Sequence, residues 1–268
     1  MRLYSDKISL TENDRGVFSI DPIMGCASGL KINKSGCYSD CYSAKSAKLY
    51  GYDFSKNVKR YFKSRKHYYE IINQIKSIDL PFIRMGSSGD PSEDWEHTIQ
   101  ICEQLYNGLN NTQLEIDGTL SKSVEIVIIT KHWYNLTDNQ LCRIAKMNIC
   151  INTYVSAIDY IELLNNRLQQ YNKLKRFCKS ILRVVSFDFN KTNDLGLQYS
   201  LIQEFLFKND HVIDTVFRSS KHNPLVKDGI INVHKTKFLG KNALISKYNK
   251  KTYFGSCKNC LEMCGSKM

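Results

Sequence analysis

The residues best suited to chemistry are cysteines in two short groups. Cys26, Cys37 and Cys41 follow C-x10-C-x3-C spacing near the start, and Cys257, Cys260 and Cys264 follow C-x2-C-x3-C spacing near the end. Thiolates grouped in this way bind soft metals. A structural zinc site is normally closed by four ligands. A trio of cysteines either borrows a fourth ligand or leaves one coordination position open for chemistry. The terminal trio is compact enough for its sulfurs to reach one ion or cluster, as a second iron-sulfur cluster or as zinc completed by a histidine such as His222 or His234. Merging of both groups into one closed site is the other arrangement, and an independent terminal site is the preferred expectation. Glycines at Gly25 and Gly36 precede Cys26 and Cys37 and allow tight turns around a bulky ligand.

Positioning these groups requires a scaffold, and the chain supplies a regular one. Short β-rich runs alternate with amphipathic helical stretches in the order expected of parallel βα units. Strands are predicted at Gly16–Ile20, Pro81–Met85, Val124–Thr130, Ile149–Val155, Ile181–Phe187 and Val212–Phe217. The pattern gives an α/β fold class, a partial (β/α)6 TIM-like barrel over residues 1–248. Residues 249–268 form a cysteine-rich metal-binding tail. A helix over Tyr160–Cys178 should turn Ile161, Leu164, Leu168, Tyr171, Leu174 and Cys178 toward the sheet. Asp90-Pro91-Ser92-Glu93 starts the helix near Trp95–Leu109, with Asp90 at the N-cap, proline next and glutamate in the capping-box position, and Thr137-Asp138-Asn139-Gln140 repeats the device. A polar insertion, Asn110–Ser123, separates that helix from the next strand. The first cysteine group follows the first strand, at the end of a βα barrel where active sites gather.

On these residues the chain resembles the radical S-adenosylmethionine superfamily. The similarity is to its divergent phage-type members and the spore photoproduct lyases, which carry a tyrosine directly after the last cluster cysteine, as Tyr42 follows Cys41 here. The usual pattern in that family is C-x3-C-x2-C, so the cluster loop of this chain is longer. A second segment, Met85-Gly86-Ser87-Ser88-Gly89-Asp90-Pro91, is similar to the family's Gly-Gly-Glu-Pro segment, with Ser88, Gly89 and Asp90 in its positions. The resemblance implies that Cys26, Cys37 and Cys41 ligate a 4Fe-4S cluster, that S-adenosylmethionine binds its open iron, and that Ser88, Gly89 and Asp90 meet the cofactor's amino group. It also implies an electron donor such as flavodoxin or ferredoxin. Tyr42 would shield the cluster from water. A plainer role for Asp90 is to cap its helix.

Other predicted strand ends carry polar groups: Thr130, Lys131 and His132; Asn152, Thr153 and Ser156; Arg183, Ser186 and Asp188. Related enzymes of that family use polar residues on the fourth and fifth strands for ribose and carboxylate contacts, so the resemblance implies Asn152, Ser156 and Arg183 as the preferred cofactor contacts. Arg218 after the last strand could meet an anionic substrate.

Composition narrows the rest. A formal charge of +12 and a pI near 9.1 favour attraction to phosphate backbones. Nucleic acid or a nucleotide is therefore the first substrate class, with a peptide second. The densest basic strip is Lys56, Lys59, Arg60, Lys63, Arg65 and Lys66, interleaved with Tyr61, Phe62, Tyr68 and Tyr69. It reads either as a stacking surface for nucleic acid or as a solvated helix whose rings face the core. Cys102, Cys142, Cys150 and Cys178 sit among apolar neighbours and are expected to be inert core residues. No apolar run reaches the roughly 20 residues a membrane helix needs, and no leader pattern opens the chain, so no membrane partner and a cytoplasmic location are expected. In that reducing setting ten cysteines point to metal, whereas an oxidising one would make them a disulfide framework. Phosphate-loop, dinucleotide, zincin and serine-hydrolase motifs are absent from the sequence. Two function classes remain: a radical S-adenosylmethionine enzyme that abstracts hydrogen from its substrate, and a zinc-stabilised nucleic-acid-binding protein.

Overall fold

Apolar, β-branched runs become parallel strands, and the amphipathic stretches between them become the helices that cover one face. The computed structural model describes residues 1–13, 16–31, 41–78, 82–110, 124–217, 219, 221–233 and 263–266. In chain order the elements begin with β1 (Thr11–Glu12), β2 (Phe18–Ser19), β3 (Ile23–Met24), α1 (Ala27–Lys31), α2 (Tyr42–Leu49), β4 (Val58–Lys59) and α3 (Arg65–Lys76). There follow β5 (Phe82–Met85), a 3-10 turn (Pro91–Asp94), α4 (Trp95–Asn110), β6 (Glu125–Thr130), α5 (Asp138–Ile144) and β7 (Ile149–Ser156). The chain continues through α6 (Ile161–Leu174), β8 (Lys179–Ser186), α7 (Asp194–Leu206), β9 (Val212–Val216), α8 (Pro224–Lys227) and a last 3-10 turn (Met263–Gly265).

The central sheet runs β1-β2-β5-β6-β7-β8-β9, parallel throughout except for β1 against β2. Every predicted strand is present. The first is shorter than expected, Phe18–Ser19 rather than Gly16–Ile20, because only Ser19 finds a register partner, Arg84, on β5. A separate antiparallel ribbon, β3 with β4, lies on either side of the cysteine loop in sequence.

Strand alternation sorts the two faces. Ile83, Met85, Ile126, Ile128, Ile149 and Ile151 pack on residues of α3, α4 and α5. Leu182 and Val184 pack on Leu164 and Tyr171 of α6 and Leu206 of α7. On the opposite face Phe82, Val127, Ile129, Cys150, Ile181 and Ile213 form a smaller cluster, and Cys264 from the last turn packs against it.

Two helix details differ from expectation. Helix α6 turns Arg167 and Gln170 inward beside Leu164, Tyr171 and Leu174, and leaves Ile161 exposed. The cause is Asp159, whose buried carboxylate pairs with Arg167 at 2.7 Å, while Arg167 Nε donates to the Lys131 carbonyl at 2.6 Å. Thr137 and Gln140 form the expected capping box, but Glu93 does not reach back to Asp90. Its carboxylate is used elsewhere, as described below. No helix among the described residues is long and apolar enough to cross a membrane.

Candidate functional site

The cysteine loop and the Gly86–Asp90 turn meet directly. Gly25 bridges Gly89 in parallel, and its amide donates to the Ser88 carbonyl at 3.0 Å. Both glycines are required by closeness. A Cβ on Gly89 would stand 2.2 Å from the Ile23 carbonyl oxygen, and one on Gly25, at φ +88°, would stand 2.2 Å from the Lys56 oxygen. Next in the chain, the Cys26 amide donates to Phe54 O at 2.9 Å and the Ala27 amide to Asn57 Oδ1 at 2.9 Å. Cys26 is thereby fixed at the end of the sheet where β2 and β5 finish. Cys41, at the N-cap of α2, packs against the same cluster as Cys26, Ala47 and Phe54, together with Tyr52 and Trp133.

Carboxylates hold this junction rigid. Asp21, just past β2, accepts the amides of Gly86 and Ser87 at 2.8 Å each and of Ser88 at 3.0 Å. Burial raises its pKa, against the pull of those amides and of Arg84 and Arg60. Asp90 caps the 3-10 turn through the Ser92 amide (2.9 Å) and hydroxyl (2.7 Å), and also accepts the Thr130 hydroxyl and the Lys131 amide, both at 2.7 Å. Glu93 accepts from the Ser28 amide (2.7 Å), the Ser28 hydroxyl (3.0 Å) and Asn57 Nδ2 (2.8 Å), so it ties the stretch after Cys26 to the segment before β4. Burial pushes the Cys26 thiol well up, the charges of Asp90 and Glu93 add to this, and the Gly29 amide and Trp133 side chain oppose it. Asp21, Glu93 and Trp133 were missed by sequence reasoning. For Asp21 a signal existed, an acidic residue directly after a strand on the side where sites form.

Cys26 and Cys41 share one packed cluster, and with Cys37 between them in sequence they are soft donors of the kind an iron-sulfur cluster or zinc takes. Among the described residues no group of three His, Cys, Asp or Glu converges as a metal site. Cys37, Cys257 and Cys260, needed to complete either trio, lie outside the described residues, as do Gly36, His234 and Arg218. Tyr42 opens α2, and its side chain also lies outside what the structure describes. His222 is exposed.

The remaining predicted contacts do not gather at Cys26. Asn152 is fully buried on β7, where Nδ2 donates to the Cys264 carbonyl at 2.9 Å and Oδ1 accepts Arg183 Nε at 3.1 Å. Ser156 is buried at the end of β7, where its amide donates to Asp159 and its hydroxyl accepts from Ile158. His132 bonds Thr153 at 3.0 Å, and Ser186 donates to Asp214 at 2.5 Å. Most strand-end polar groups are thus satisfied by one another.

The basic strip divides in two. Arg60 is buried, donating to Lys7 O at 2.7 Å and Ser9 Oγ at 2.7 Å; Lys59 pairs with Asp94, and Lys63 with Asp6 at 2.5 Å. Phe62 and Tyr68 pack on the core, whereas Tyr61 and Tyr69 are exposed. Helix begins only at Arg65. Cys102 is a core residue as expected, but Cys142 is exposed on the outer face of α5 and corrects the expectation of burial. Compared with protein-family models, curated proteins and solved structures, the chain matches none.

Proposed function

We propose that this chain is a radical S-adenosylmethionine-like enzyme built on a partial (β/α)6 barrel, with six parallel strands in sequence order. The observation that carries the reading is the Gly25–Gly89 bridge, which sets Cys26 against the Ser87–Asp90 turn, with Cys41 packed in the same cluster. Two segments separated by most of the first βα unit, both matched to the same family by resemblance, thus lie against each other. Cys26, Cys37 and Cys41 would hold a 4Fe-4S cluster, and the Ser88–Asp90 turn and Tyr42 would border the S-adenosylmethionine beside it. When bound, that pair supplies one-electron cleavage of S-adenosylmethionine and hydrogen abstraction from substrate, driven by a donor such as flavodoxin or ferredoxin. The chain's own part is positioning: Asp21 fixes three amides of the turn, Glu93 fixes the backbone after Cys26, and Trp133 helps exclude water. Nucleic acid or a nucleotide is the proposed substrate class, on the strength of the +12 charge.

Anaerobically reconstituted full-length protein should hold roughly four irons and four sulfides per site. On reduction it should convert S-adenosylmethionine to 5′-deoxyadenosine, and Cys37→Ala should abolish this. Zinc without sulfide, accompanied by salt-dependent nucleic-acid binding, would replace the reading by a zinc-stabilised binding protein. Cleavage retained in Cys37→Ala would remove the assigned ligand set.

A further inference from the structure

Helix α7 buries Gly196, Ser200, Gln203 and Leu206 toward the sheet. Its outer side carries Leu197, Leu201 and Phe205, which are 42%, 58% and 60% exposed. Single exposed apolar residues are ordinary, but these three are spaced four apart and stack along one face as a continuous strip. Among the described residues nothing covers it. The strip is bounded by exposed charges of opposite sign: Asp194 seven positions before Leu201, and Lys208 seven positions after it.

We propose that this face is a self-complementary dimer contact, occupied by α7 of a second copy of the chain lying antiparallel across it. A two-fold axis through Leu201 sets Leu201 on Leu201, Leu197 of each copy on Phe205 of the other, and Asp194 of each copy beside Lys208 of the other. The parallel alternative would oppose Asp194 to Asp194 and Lys208 to Lys208, so the charges select the antiparallel pairing. Glu204 is already engaged by Lys191 of its own chain at 3.0 Å. One helix pair buries less than the roughly 1,200 Å² of a standard interface, so the dimer depends on concentration.

Sedimentation velocity on the full chain, from low to high micromolar concentration, tests this. The mass should rise to twice that of the monomer. Leu201→Asp should keep the far-UV circular dichroism of the parent and stay monomeric. Asp194→Lys or Lys208→Asp alone should weaken association roughly tenfold, and the double swap should restore it. A parent that is monomeric throughout, a Leu201→Asp variant that still dimerises, or a double swap weaker than both single ones overturns the proposal. Loss of secondary structure in Leu201→Asp also overturns it, because the strip would then be packed within its own chain.

Discussion

The Asn152 side-chain amide donates to the Cys264 carbonyl at 2.9 Å, joining the middle of β7 to a turn 112 residues further along the chain. The same turn lies over Cys150, whose Sγ is 3.8 Å from that carbonyl and whose thiol is pushed up by burial. Asn152→Ala takes the amide donor from the part-buried Cys264 carbonyl and the acceptor from Arg183 Nε, and should cost about 1–3 kcal/mol in urea unfolding. Among the described cysteines, a thiol reagent under native conditions should modify exposed Cys142 first in both proteins, and reach Cys150 markedly faster in the variant. Unchanged protection of Cys150 would show that the turn is not held by Asn152.

Gly89→Ala should be more damaging than its size suggests. The new methyl would meet backbone at 2.2 Å, at the junction of the cysteine loop and the Ser88 turn. Overpacking against a fixed main chain costs about 1–3 kcal/mol or more. Gly51→Ala is the control: its φ of +76° is strained for alanine, but no atom lies within 4 Å of the added carbon. That variant should lose only about 1–2 kcal/mol. Thermal denaturation of the pair should rank Gly89→Ala as the less stable, and equal losses would mean that contact at Gly89 is relieved by movement.

His132 should give the protein a loss of stability on mild acidification. Burial, and next the charge of Arg167, hold its pKa down at about 3, so the folded state keeps it neutral. In the unfolded chain it takes up a proton below about pH 6.5. The unfolded state therefore binds more protons in the interval between, and stability present above pH 6.5 falls as pH drops toward 3. Between pH 7.5 and pH 5 the loss from this residue is about 2 kcal/mol. His132→Asn, which tolerates the φ of +48°, should flatten that slope in urea titrations at the two pH values. An unchanged slope would assign the acid sensitivity to other groups.

Asp159 acts in a lower pH interval. Burial pushes its carboxyl up, but Lys131 and Arg167 together outweigh this and hold it below the usual carboxylate range. Its contribution is present above about pH 4 and is lost as pH falls through the lowered folded value. Asp159→Asn should cost about 3–5 kcal/mol at neutral pH, since Arg167 would stay buried without its counter-charge. The acid limb below pH 4 should become shallower in the same variant. A neutral-pH loss under 1 kcal/mol would mean that water reaches Arg167.

What the sequence made legible is what neighbours along the chain determine. The apolar runs of β6, β7 and β8 and the cap at Thr137 follow from spacing and propensity alone, and the structure bears them out. Asp90 as a cap was also readable, because its donor Ser92 is two residues away. Its further bonds to Thr130 and Lys131 were not, since they join separate βα units. Arg60 looked like part of a basic surface because its partners, Lys7 and Ser9, precede it by about fifty residues. Arg167 broke the apolar stripe of α6 because its partners, Asp159 just before the helix and the Lys131 carbonyl 36 residues earlier, lie outside the periodic stretch. In the candidate site, spacing suggested that Cys26 and Cys41 belong together, while the Gly25–Gly89 contact that sets them against the Ser88 turn could be seen only in three dimensions.

The bond between Asn152 and Cys264 also imposes an order of events. A ribosome delivers β7 and β8 long before residues 263–266 emerge, and loop closure over such a span comes late in folding. Until then the Asn152 amide and the Arg183 guanidinium lack this cover on the side of the sheet opposite α4 and α6. Nascent chains halted before Met263 should therefore carry formed strands with Asn152 still uncovered by the turn.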